Sequence, residues 1–441
     1  MLNAKRWMTV LRTGKSAPKY SRKPMRIWYH HLGRWASMSD SVPYGWKSYK
    51  LNDVADELSD RVDNPCKSGY DRFVGLDHLD GGELTVRRWG STADLLSAMK
   101  LFKSGDILIG RRNAYLKRAS RAEFDGVCSG DAYVVREKPG KIAEGLLPII
   151  LNSDSFWDYT IAHASGTMSK RAKWRDLAEY SFLLPSLEGQ RHIATTLWAS
   201  EDCIVKGERF ILTSQRAKQV LMRELFSKGI GHTEFQQVKG FEKIPKCWIV
   251  ALMKKIVSPN RGSIKTGPFG SSLKKEDMIN DGIKVYGQEN IIYQNLSLGD
   301  RYISQGKFEE LQSFELRSGD LVFTRMGTLG KCMILPASFK KGIMDFHLLR
   351  IRPDPTILDT EFLKQSLEGS EEILRQVQKF SQGGIMSGFS SSIMSKIQLP
   401  LPPLPEQRQI AAILTRCDET IAAARANVGA AKALKMKMIN E

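Results

Sequence analysis

Two stretches of the chain share one hydrophobic rhythm. After Arg191, apolar residues recur every seven positions at Leu197, Ile204 and Ile211; after Arg408 they recur at Leu414, Ile421 and Val428. Each member of the second set lies 217 positions after its counterpart, so the two stretches share a register. Both rhythms break at the next step on a lysine, Lys218 and Lys435, and resume at Leu221 and Met438. A seven-residue apolar repeat predicts a helix whose stripe packs on a partner helix. A helix over 187–228 would extend about 63 Å at a rise of 1.5 Å per residue. A small domain cannot cover so long a stripe, so each helix is the expected partner of the other. Ser186 is the expected N-cap of the first helix, with Glu188 behind it, and Pro405 and Glu406 suit the first turn of the second. Gly207 and Gly429 should weaken their helices by roughly 1 kcal/mol each relative to alanine.

Ahead of each helix the pattern turns to short β-type runs broken by turns. Asp106–Gly110 and Asp320–Thr324 read as strands entered from Ser-Gly-Asp turns, and Ala132–Val135 and His347–Ile351 as further strands. Residues 360–380 read as one helix ending before Gly383-Gly384. Four anchors recur in the same order: Pro43-Tyr44-Gly45-Trp46 with Pro245-Lys246-Cys247-Trp248, Ser104-Gly105-Asp106 with Ser318-Gly319-Asp320, Gly166-Thr167-Met168-Ser169 with Gly384-Ile385-Met386-Ser387, and Leu184-Pro185 through Gln190-Arg191 with Leu401-Pro402 through Gln407-Arg408. Their separations drift between 202 and 218 positions, as in a duplication with loop insertions. The fold expected is a mixed α/β (α+β) one, with two globular domains separated by two long helices packed as an antiparallel coiled coil. The expected layout is a basic leader outside the fold (1–37), a first globular domain (38–186), a first helix (187–230), a second globular domain (231–404) and a second helix (405–441). The second helix stops a few residues early by alignment with the first.

The formal net charge of +18 points to a polyanionic partner, but residues 1–37 carry nine basic residues and no acid, which is half of it. That stretch reads as an artefact of an upstream start codon, since composition changes abruptly at Met38. A DNA-binding face must therefore concentrate charge locally. In the first domain the candidates are Arg111, Arg112, Lys117, Lys170, Arg171 and Lys173. In the second they are Lys265, Gly267, Phe269, Gly270, Ser271, Lys274 and Arg325. Arginine can grip guanine edges bidentately, lysine and serine position on phosphates, and small residues admit a close backbone approach. Between the anchors the two domains diverge, so one scaffold with two loop sets suggests two different things recognised.

No motif for catalysis stands out. Gly327-Thr328-Leu329-Gly330-Lys331 has two residues between its glycines where a phosphate loop needs four. No [DE]-x-K triplet, dinucleotide turn or methyltransferase loop occurs. The six cysteines form no CxxC pair and none stands at zinc spacing from a histidine, so small buried hydrophobes in a reducing cytoplasm are expected. No metal and no cofactor is expected, and no apolar run is long enough to span a bilayer.

The stretch Leu399-Pro400-Leu401-Pro402-Pro403-Leu404-Pro405-Glu406-Gln407-Arg408-Gln409-Ile410-Ala411-Ala412-Ile413-Leu414 resembles the junction between recognition domain and helix in specificity subunits of type I restriction–modification systems. Ile264 to Ser271, Ser318 to Arg325 and Phe124 to Asp131 resemble the same family, and the likeness covers about residues 38–441. The first junction departs from it, with Leu187-Glu188-Gly189 in place of a Leu-Pro/Ala-Glu run. The resemblance implies a non-catalytic, cytoplasmic subunit that directs its complex to a bipartite target in double-stranded DNA. It implies as partners two modification (methyltransferase) subunits and a restriction subunit carrying the motor and nuclease. The alternatives are a stand-alone DNA methyltransferase or nuclease with unrecognised motifs, and an inactive orphan specificity subunit.

Overall fold

The computed structural model describes residues 45–166, 170–241, 243–260, 262–325, 331–381 and 390–441. The 1–37 leader, Pro43-Tyr44, Thr167 to Ser169, Met326 to Gly330 and Gly383 to Ser387 lie outside the described residues. The described residues form two compact units, the first made of those up to Glu201 together with Leu434–Glu441, the second of those from Asp202 to Ala433.

In the first unit a continuous apolar run builds the centre. Ile107, Leu108 and Ile109 are all fully buried, but Ile107 and Ile109 join one core and Leu108 another. Successive side chains of a strand point to opposite faces, so this strand is covered on both. It belongs to an antiparallel sheet ordered Ala55–Leu58, Ala132–Glu137, Ile107–Gly110, Ala119–Arg121. A second sheet runs Arg61–Val62, Met99–Phe102, Gly126–Cys128, Arg72–Val74, Gly90–Ser91, with one parallel pair between Arg72–Val74 and Gly126–Cys128. A two-stranded ribbon pairs Lys47–Lys50 with Ser181–Leu184.

The second unit repeats this plan. Its antiparallel sheet is ordered Ile264–Thr266, Leu348–Ile351, Leu321–Thr324, Cys332–Ile334. Again the central strand divides its residues, Leu321 and Phe323 to one core and Val322 to another. Its other sheet also has one parallel pair, Ile283–Tyr286 with Gly342–Met344, and Ile249–Leu252 pairs with Gln398–Leu401 as the ribbon.

The Ser-Gly-Asp turns are built alike. Gly105 and Gly319 take φ of +95° and +82°, a region that suits glycine. The aspartates that follow are buried and satisfied: Asp106 accepts from Lys103 N at 2.7 Å and from Arg136 at 2.6 and 2.9 Å. Asp320 accepts from Arg317 N at 2.8 Å and from Arg352 at 2.7 and 2.8 Å.

The long helices span Leu187–Lys228 and Leu404–Asn440. At the first start, Ser186 Oγ accepts from Gly189 N at 3.3 Å. In the second unit Lys218 meets Asp418 and Glu208 meets Lys432, so the two helices run antiparallel there. In the first unit Lys435 meets Glu201. The lysines that broke the rhythm therefore each face an acid, and Glu201 and Asp418 are themselves repeat equivalents. Ile204 and Ile421 are buried, while Ile211 and Val428 are half-buried. Leu197 and Leu414 join the globular cores of their units, so the ends of the stripe are covered by their own domains as well. Gly207 has a reason beyond propensity: a Cβ there would lie 2.5 Å from Val428 Cγ2.

Two expectations change. Residues 360–380 form two helices, Thr360–Gly369 and Glu371–Ser381, broken at an extended Ser370. A side chain at Gly369 would overlap Met222, and the Ser370 hydroxyl accepts from Ile373 N at 3.5 Å, so this break is a packed corner. The cysteines are free thiols, but only Cys128 and Cys332 are buried; Cys203 and Cys247 are exposed on a helix face and a turn. Among the described residues no helix is long and apolar enough to cross a membrane.

Candidate nucleic-acid interface

Arg111 and Arg325 emerge from the matched central strands. Arg111 N donates to Asp131 O at 3.0 Å and Arg325 N to His347 O at 2.9 Å, so the two backbones are anchored alike. What surrounds them differs.

In the first unit one carboxylate faces three guanidinium groups. Asp131 lies 3.5 Å from Arg111 Nε, 3.7 Å from Arg112 Nη1 and 3.3 Å from Arg171 Nε. The segment carrying Arg171 is laid beside Arg111 by Asn113 N to Lys170 O at 3.2 Å and Ala172 N to Arg111 O at 2.8 Å. Lys170 and Lys173 stand exposed on it. Tyr133 locks the arrangement: its hydroxyl donates to Ala172 O at 3.0 Å and accepts from Trp174 N at 2.9 Å. Burial raises the Tyr133 phenol pKa, so it stays neutral. Arg61, Lys100, Ser129 and Gly130 share a concavity with Arg111 and Asp131. The structure thus gathers Arg111, Arg112, Lys170, Arg171 and Lys173. Lys117 stands apart, its ammonium 2.5 Å from Asp154.

In the second unit the hub is Asp345, almost fully buried. It accepts from His347 N at 2.9 Å and from Arg301 Nη1 at 2.8 Å, and Arg301 also holds Glu289 at 2.8 Å. Burial works against the Arg301 charge, but these two carboxylates hold its pKa above the ordinary value. Arg325 Nη1 donates to Phe346 O at 3.1 Å. Burial draws the Arg325 guanidinium pKa below its ordinary value. The Phe346 ring lies against His347 at 3.7 Å and is partly exposed.

The glycine-rich loop gives a mixed result. Gly267 was expected to admit a phosphate, yet a Cβ there would overlap the Asp345 carbonyl and Gly267 N donates to Leu348 O at 3.0 Å. Its small size serves the protein's own backbone. Gly270, by contrast, has open space around it. Phe269 is 67% exposed, Ser271 is exposed, and a turn closes through Ser272 N to Phe269 O at 2.8 Å. Lys274 is exposed, its backbone N–H donating to Asp277 at 2.7 Å. Lys265 lies back along the sheet, opposite Arg350, with its ammonium 4.1 Å over the Phe314 ring.

Sequence reading missed Asp131, Tyr133, Arg61, Lys100, Arg301, Phe346 and His347. A signal existed for two of them: Asp131 and His347 both stand immediately before the matched strands that begin at Ala132 and Leu348. Chemically, the first cluster can bind anionic oxygens or a guanine edge. The second offers Arg325 beside the exposed Phe346 ring and the half-buried His347 ring, a guanidinium for a guanine edge and an apolar face for a thymine methyl.

Residues 268–428 match the family described as type I restriction modification DNA specificity domain. The MjaVIII type I restriction enzyme specificity subunit of Methanocaldococcus jannaschii is 25% identical over 425 residues, 90% of this chain and 92% of that protein. The EcoDI specificity subunit of Escherichia coli is 26% identical over 175 residues, 38% of each. Among solved structures, the type I restriction-modification S subunit from M. genitalium aligns with a TM-score of 0.55 at 12% identity, over 90% of this chain and 96% of that one. A chain of a solved type I R-M system aligns with a TM-score of 0.53 at 19% identity, over 90% and 97%. These two likenesses are of fold.

Proposed function

We infer that this chain, which carries a type I restriction modification DNA specificity domain over residues 268–428, is the DNA-specificity subunit of a type I restriction–modification complex. One observation carries the reading: a single two-sheet scaffold occurs twice, with an arginine at the same strand end and different chemistry around it. Three arginines around Asp131 in one domain, and Arg325 beside the Phe346 and His347 rings with Arg301 held on Asp345 in the other, make two different readers. A split target with one half read by each globular domain, 38–186 and 231–404, follows from that. The helices at 187–230 and 405–441 set the spacing between halves.

In this reading the chain supplies recognition only. Two modification subunits would bring the adenine methyltransferase, and a restriction subunit the ATP-driven motor and nuclease. The test is to produce the chain with its genomic modification subunits and map methylated adenines on a random-sequence library. A bipartite motif with fixed spacer is expected. Methylation by the isolated chain with S-adenosylmethionine, or a continuous motif, would overturn the reading.

A further inference from the structure

Where the first long helix ends, the chain turns through two left-handed glycines, Gly229 at φ +65° and Gly231 at +72°. That turn folds His232 back toward the start of the second long helix. There His232 Nε2 lies 2.8 Å from Glu406 Oε1. Cys247 Sγ lies 3.7 Å from His232 Nδ1 and 4.0 Å from Nε2. One donor atom from each of the three residues falls within 4.8 Å of the others. Any side chain at Gly229 would intrude on them, its Cβ 2.5 Å from Glu406 Oε1 and 2.8 Å from His232.

We propose that His232, Cys247 and Glu406 form a binding site for one zinc-class divalent cation, with water completing the coordination. A thiolate, an imidazole and a carboxylate are the donors zinc takes. Zn–ligand lengths of about 2.0–2.3 Å in a tetrahedron put N···S near 3.6 Å and N···O near 3.4 Å. The separations at Nε2, 4.0 and 2.8 Å, differ from those by roughly half an ångström. Rotation of the half-exposed imidazole supplies that shift. The carboxylate is already oriented, since Trp248 Nε1 donates to Oε2 at 3.0 Å and Ile230 N to Oε1 at 3.0 Å. Oε1 keeps a lone pair for the cation in place of the histidine contact. Binding releases the thiol proton to solvent, so affinity rises with pH.

The plainer account is a hydrogen-bonded corner that fastens the second helix. Repeat comparison weighs against that as the whole story. The first copy has Gly45 aligned with Cys247 and Gly189 aligned with Glu406. It therefore starts its helix without either donor, and the cluster is an addition to the shared scaffold. His232 and Cys247 also bracket the hairpin of Phe235–Gln237 and Lys243–Pro245, so a cation would clip its open end to residues far along the chain.

The test uses the full chain, stripped with chelator and titrated with Co2+, then Zn2+. A sulfur-to-cobalt charge-transfer band is expected at one cation per chain, displaced by Zn2+. Cys247→Ser should lose the band, and His232→Ala should weaken binding by at least about tenfold. Circular dichroism of each variant controls for folding. A parent protein without the band, or a band that survives in Cys247→Ser, overturns the site. Neither result bears on DNA recognition.

Discussion

Lys435 occupies the step where the second helix loses its apolar rhythm, and its replacement by methionine offers a graded test of the architecture. Its ammonium lies 2.7 Å from Glu201 Oε2 and 2.9 Å from Gly82 O, and the two side chains are only 4% and 3% exposed. Lys435→Met would strand a buried carboxylate whose remaining charged partner is Arg87 at 2.5 Å. Removing one member of a buried pair costs about 3–5 kcal/mol, and the retained arginine puts this one near 3 kcal/mol. For a unit of this size that lowers the melting temperature by roughly 6–12 °C. The repeat equivalent, Lys218→Met, removes a cation held at 2.6 and 2.7 Å by Asp418. Asp418 is 42% exposed, so water takes over much of its solvation and the cost falls to about 1 kcal/mol. Calorimetry of both variants measures the contrast, and Lys435→Met with Glu201→Gln should recover part of the larger loss. Equal shifts in the two variants, or a Lys435→Met shift under about 2 °C, would refute the argument from burial.

Gly207→Ala should destabilise the second unit, because overpacking against Val428 by about 1–3 kcal/mol outweighs a helix-propensity gain of roughly 1 kcal/mol. Val428→Ala in the same chain should restore it, as read by urea midpoint. Arg111→Ala and Arg325→Ala should each relax preference at one half of the target by about 1–3 kcal/mol, measured by methylation of mixed half-site libraries; equal loss at both halves counts against separate readers. Burial raises the Glu137 carboxyl pKa, although Gly145 N and Leu147 N each donate to it at 3.0 Å. The native chain then binds that proton more tightly than the unfolded chain, so the contribution is full below the unfolded value of about 4.3 and is lost as pH rises through the folded value. Glu137→Gln should flatten that loss in urea midpoints taken across the window; an unchanged slope rejects it.

The scaffold was legible in sequence because its signals are periodic and repeated. Seven-residue spacing located both long helices, and the Ser-Gly-Asp turns located both central strands, since each signal depends on neighbours along the chain. The break at Ser370 was not legible, because Gly369 is small to clear Met222, a contact made across the second unit. Much the same holds for Gly267, whose glycine looked like an opening for phosphate and instead lies against Asp345.

By itself, then, the sequence determined that one module is written twice, that its helices share a register, and that a lysine interrupts both at the same step. Only the tertiary structure decided what those residues meet: Glu201 and Asp418 for the lysines, Asp131 for three arginines, and His232 with Cys247 for Glu406. Periodicity is carried by residues a turn apart, whereas a charge or a ligand atom is placed by whichever distant segment packs over it.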